Sequence, residues 1–142
     1  MAGINTGKVI TGGLLAGLVM NVLDFITNTV IAGAELQANF TRLGLDPSAM
    51  ESARGIATWV IIDFLFGILA VFTYAAIRPR FGAGAKTAAF AGILLWLAVF
   101  LVMFGLTQAG ILTTGIFVKI GILALITNIV GTIAGAWAYK EA

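Results

Sequence analysis

Residues 87–107 read TAAFAGILLWLAVFLVMFGLT, twenty-one consecutive residues without a charge. At ~1.5 Å rise per residue such a helix is about 31 Å long, the thickness of a bilayer's hydrocarbon core. Three other stretches have the same character. Lys8–Ala32 carries only Asp24 inside it, Gly55–Ile77 only Asp63, and Ile116–Tyr139 only Lys119. Hydropathy does not by itself separate a spanning helix from a buried core helix, but four such segments among 142 residues do. Too little polar sequence is left to coat a soluble core of that size.

Composition agrees. The chain is 61% hydrophobic and 10% charged, against roughly 25% charged in an average soluble domain, and its mean hydropathy is +1.09. A free soluble globule, a disordered chain and a nucleic-acid binder are all excluded. Cysteine and histidine are absent, which removes disulfides, thiol nucleophiles, imidazole chemistry, bis-histidine haem and nearly every zinc or copper site. No metal and no cofactor is expected, and no enzyme activity. A net charge of +2 says little about partners.

The expected fold is all-α: a polytopic membrane protein of one transmembrane domain, 1–142. Its four helices form an antiparallel bundle over about 8–32, 47–77, 87–107 and 115–139. Ala32-Gly33-Ala34 faintly suggests a signal-peptidase site, but the apolar run before it is too long for a cleaved signal, so a retained helix is expected. Asp46-Pro47 marks a helix start, from which the second helix is expected to run inward unbroken. Arg78-Pro79 should end it, because a residue before proline is pushed out of helical geometry; FGAG then forms a turn with no phosphate-binding logic. Leu36, Phe40 and Leu43 at helical spacing, closed by Gly44, predict a short amphipathic helix over about 34–43 on the membrane surface. Thr114 is the expected cap of the fourth helix.

Lys8, Arg78, Arg80, Lys86 and Lys140 fall on one side of the bilayer, Arg42 and Arg54 on the other. The richer side is cytoplasmic, so both termini are expected inside a bacterial inner membrane, with Arg78, Arg80 and Lys86 touching lipid headgroups. Trp59 then belongs to the outer aromatic belt, and Tyr74, Trp137 and Tyr139 to the inner one.

The stretch YAAIRPRFGAGAKT (74–87), with GGLLAG (12–17) and AGAWAYKE (134–141), resembles small bacterial integral membrane proteins with four predicted spans and the same tyrosine-to-arginine-proline turn. The resemblance covers most of the chain. It implies topology and carries no activity or functional residue across.

Candidate chemistry rests on Asp24, Asp63 and Lys119. A charge near the bilayer centre costs about 2.5–3.5 kcal/mol on insertion scales, and aspartate is too short to reach water. Counted from the helix ends, both carboxylates lie roughly 12 Å below the outer surface and Lys119 roughly 7 Å. All three are therefore expected in one polar layer, as an ion pair, a proton relay or a polar ligand site. Asn21, Asp24 and Asn28 form one stripe on the first helix, which must face the bundle, with Asn128 opposite. The structural alternatives are interhelical hydrogen bonds for the aspartates and snorkelling for Lys119.

Gly13, Gly17, Gly92, Gly131 and Gly135 are the expected helix-packing positions, since small residues four apart let helices approach closely in lipid. They predict a bundle tight at the cytoplasmic side and looser outside. Trp96, mid-span, is free to face a partner, lipid or pigment; a bound quinone or pigment would use Asn21, Asn28 or Gln108. The expected function is a non-catalytic subunit that packs among other membrane subunits or with itself in the lipid bilayer. The alternative is a small proton-coupled transporter or channel using the Asp24/Asp63/Lys119 layer.

Overall fold

The computed structural model describes residues 3–139; Lys140, counted above among the inner basic residues, lies outside them. The protein is all-helical, with four helices long and apolar enough to cross a membrane. In chain order they are α1 (Thr6–Phe25), continued by π-helical turns (Ile26–Ile31); α2 (Gly33–Arg42); α3 (Ser48–Glu51); α4 (Ala53–Phe81); α5 (Ala85–Gln108); and α6 (Thr114–Ala138).

The helix ends follow local chemistry, and they correct several expectations. α1 starts two residues early because Asn5 caps it, its side chain accepting from the Lys8 amide at 3.1 Å. α6 is capped by Thr113 rather than Thr114, through the Ile116 amide. The second span does not run unbroken from Pro47. Asp46 does accept from both the amide and the hydroxyl of Ser48, but only one turn forms before Ser52 turns extended (φ −64°, ψ 153°) and caps a fresh helix at Gly55. Nor does Arg78-Pro79 end α4, which runs on to Phe81. Proline in the last turn removes a single ladder bond, and Gly82, at φ 85°, then stops the helix with its N–H on the Arg78 carbonyl.

α1 lies at the centre, packed most extensively on α4 and then α6, while α5 packs on α6 and less on α4. Call the two ends of the bundle the Tyr139 end and the Lys119 end. Glycine sets the approach at the first. A methyl group at Gly17 would sit 2.6 Å from the Phe64 Cα of α4, and one at Gly12 would sit 2.6 Å from the Gly135 carbonyl of α6. Gly13 meets Ile68, Gly131 meets Met20, and Gly92 meets the Asn128 carbonyl at 2.6 Å. Gly67 closes against Gly13 and Gly17 from the α4 side. Backbones this close exchange dispersion contacts along their whole length, which is how helices associate where lipid is as apolar as leucine.

Two tyrosines close this end. Tyr74 and Tyr139 meet edge to face with centroids 6.0 Å apart, and their hydroxyls accept from the Gly84 and Asn5 amides. They are 3% and 4% exposed, so they are core residues and not the aromatic belt expected of them. Trp137, 81% exposed, keeps the place such a belt residue would have.

Toward the Lys119 end the helices part. The buried residues of α4 begin at Gly67, and every residue from Ile56 to Ile62 is exposed. Those of α5 end at Gly92. α6 alone is buried at intervals from Ile116 to Ala136. A wedge therefore opens between α4 and α5, widening away from Tyr139.

Candidate functional site

Asp63 on α4 borders this wedge, Asp24 on α1 meets Thr127 of α6, and the two are not at one depth. Gly17 on α1 lies against Asp63 and Phe64, and the Asn21 side chain donates to the Val60 carbonyl at 3.3 Å. That register pairs Asp24 with a residue near 57, so Asp63 sits about six residues deeper, roughly 9 Å along the axis. Side chains tilt toward their own helix's N-terminus. Asp24 therefore leans down and Asp63 leans up, close enough for their charges to interact. Counting from the ends of the apolar stretches failed because those ends are not level: the register that sets Gly17 against Phe64 and Asn21 against Val60 carries the last turn of the first span several residues past Gly55.

Lys119 does not join them. It pairs with Glu35 of α2, 84 residues away in sequence. The reason is local: α2 lies across the start of α6, within reach of a lysine in that helix's second turn. α2 is also not a helix lying free on the membrane surface. Asn39, 4% exposed, donates to the Ile111 carbonyl at 3.1 Å. Arg42 donates to Asn39 Oδ1 and to the Gly110 and Ile111 carbonyls at 2.9 and 3.1 Å. The turn between α5 and α6 presents carbonyls, and α2 supplies the donors. A groove of about 350 Å³ remains between α2 and α6, lined by Glu35, Asn39, Arg42, Thr113 and Lys119 among others.

The asparagine stripe holds only in part. Asn21 is half-buried, its amide also bonded to the Gly17 carbonyl. Asn28 is exposed and bonds the Asp24 carbonyl at 2.9 Å. The π turns begin between them; a wider turn advances the chain through a smaller angle per residue, so the α-helical phase lapses after Phe25 and Thr27 turns inward instead. On α6 the residue that meets the Asp24 carboxyl is Thr127, 3% exposed, one position before the expected Asn128. Asn128 bonds the Ala124 carbonyl of its own helix, leaving its Oδ1 buried without a partner.

Trp96 is half-buried and turned toward α6. Its indole N–H donates to the Gly121 carbonyl at 2.8 Å, and its ring stacks on Phe100, which in turn packs on Phe117. Sequence reasoning missed Thr127, Glu35, Asn39 and Gly67. Asn39, an amide inside an amphipathic helix, was the one visible signal.

Among the described residues, no group of three or more His, Cys, Asp or Glu side chains gathers as a metal site. Asp24 is held by Thr127. Asp63 is half-buried and has, among the described residues, no hydrogen bond or ion pair at all. No protein-family model matches the chain, and neither curated proteins nor solved structures contain a match.

Proposed function

We propose that this chain is a non-catalytic subunit of the bacterial inner membrane, packing among other membrane subunits or with copies of itself. Lys8, Arg78, Arg80 and Lys86 lie at the Tyr139 end, while Arg42, Arg54 and Lys119 lie at the other, where Arg42 and Lys119 are engaged by Asn39 and Glu35. This asymmetry supports an orientation with the Tyr139 end, and with it both termini, in the cytoplasm.

One observation carries the reading: Asp63, within an apolar span, has no donor among the described residues. A carboxyl so placed needs a partner, because the bilayer core offers none. The test is a photo-crosslinking residue at Ile62, beside Asp63, activated in native membranes. A discrete protein adduct that disappears in Asp63→Leu is expected. Absence of any protein adduct, with the chain monomeric in native mass spectrometry, overturns the reading.

A second reading has its own observation, the Asp24 and Asp63 carboxyls leaning toward each other, with Asp63 at the open wedge. As a proton-coupled carrier, the chain would lose pH-driven flux in proteoliposomes when both are changed to asparagine. Unchanged flux with a lost crosslink favours the subunit.

A further inference from the structure

We infer that the wedge between α4 and α5 receives a transmembrane helix of a different protein, bearing a basic side chain that pairs with Asp63. The inference rests on the subunit reading and names the chemistry of the partner.

The residues that follow Asp63 on one face of α4 are Gly67, Ala70 and Tyr74, at intervals of four, three and four. All three are buried in the body of the bundle. Asp63 continues this face beyond the level where α1 closes on Gly67 and where Tyr139 and the Gly84 amide meet Tyr74, and no residue of α4 before Gly67 is buried. The apolar stretch Gly55–Ile77 has its midpoint near residue 66, so Asp63 lies only about 5 Å from mid-span. A lone carboxylate is costly there, and the wedge gives a helix room to reach it.

Among the described residues, no cation satisfies this acid. Lys119 is held by Glu35, and Arg42 by Asn39 and two carbonyls. Arg54 stands nine residues nearer the membrane surface on the same helix, about 13 Å away, and Arg78 fifteen residues on the other side, about 22 Å. Lys8, Arg80 and Lys86 belong to the Tyr139 end. The amides of Asn21, Asn28 and Asn128 each donate to a backbone carbonyl. A second copy inserted in the same orientation carries its cations at these same depths, and so brings none to the level of Asp63. Charge complementarity therefore selects a foreign helix with a lysine or arginine near mid-span.

The probe is a synthetic leucine–alanine transmembrane helix with one lysine a turn from its centre, and an otherwise identical helix with leucine there. Association with the full chain is read by energy transfer in phosphatidylcholine vesicles. Pairs across helices in lipid are worth up to about a factor of ten. The lysine helix is expected to bind about 10-fold tighter than the leucine helix. The preference should fall to about 1 in Asp63→Asn, persist in Asp24→Asn, and return in Asp63→Glu. Helical circular dichroism equal to wild type shows that each variant folds.

Equal binding of the two helices by wild type overturns the inference, as does a preference that survives Asp63→Asn. Energy transfer between copies of the chain, lost in Asp63→Asn, would make the occupant a second copy and overturn it too. If the lysine preference fails while the Ile62 crosslink persists, only the partner's charge is wrong. If the preference holds and the crosslink is absent, it is the subunit reading that fails.

Discussion

The two ends of this bundle solve the same problem with different materials. At the Tyr139 end, glycines on all four long helices bring backbones together and two buried tyrosines close the gap, so cohesion comes from contact area. At the Lys119 end, the helices part and cohesion comes from particular polar bonds: Asn39 and Arg42 on the carbonyls of the α5–α6 turn, Glu35 on Lys119. Packing of the first kind is indifferent to water and salt but intolerant of added volume. Bonding of the second kind tolerates volume and depends on individual donors. The difference is sharp enough to be broken at named positions.

The largest effect is expected at Gly67. A side chain there would run into the backbone of α1 at Gly13 and Gly17, and overpacking against backbone cannot be relieved by a rotamer change. Gly67→Leu should destabilise the bundle by at least about 3 kcal/mol, measured as the loss of helicity in a denaturant titration from mild detergent. The matched control is Gly105→Ala in the far half of α5, where nothing lies within 4 Å. It should be neutral, or gain up to ~1 kcal/mol from helix propensity. An equal penalty at both positions would erase the contrast between the ends.

Next comes Asn39→Ala, which removes one of the two donors to the Ile111 carbonyl and leaves Arg42 only the Gly110 and Ile111 carbonyls as acceptors. A cost of about 1–3 kcal/mol is expected, confined to α2, with hydrogen exchange faster there and unchanged at Tyr74. Lys119→Met should cost at most ~1 kcal/mol, because both partners of the ion pair are more than a third exposed (37% and 46%). The wild-type pair should weaken in high salt.

The smallest effect concerns Asp46, whose carboxyl is held below the usual carboxylate range by the amide and hydroxyl of Ser48. A depressed folded value means the stabilisation is fully present above the free carboxylate's pKa of ~3.9. It is lost as pH falls through the lower folded value. Hydrogen exchange at Ser48 should rise on acidification below about pH 4, and Asp46→Asn should remove that dependence.

How much of this could be read beforehand divides along the same line. The spans were legible because hydropathy is a property of each segment alone. The glycine pairs were legible because spacing of four is a property of one helix. Gly67 escaped notice, having no partner glycine four residues away on α4; its partners stand on α1. The equal depths expected of Asp24 and Asp63 were counted from Ala32 and Gly55, ends that the register of α1 on α4 does not bring level. Lys119 was assigned to the wrong acids because Glu35 is distant in sequence and belongs to a helix whose docking no local pattern reveals.

Local chain chemistry thus determined four membrane-crossing helices, most of their caps and the small-residue faces they pack through, because these depend on burial, backbone donors and periodicity within one segment. Which helix lies at the centre, where the bundle opens and which acid is left without a donor were decided only in three dimensions. Those outcomes depend on the relative register of helices, and a shift of two turns (about 11 Å) changes every partner while leaving each segment's sequence signals untouched.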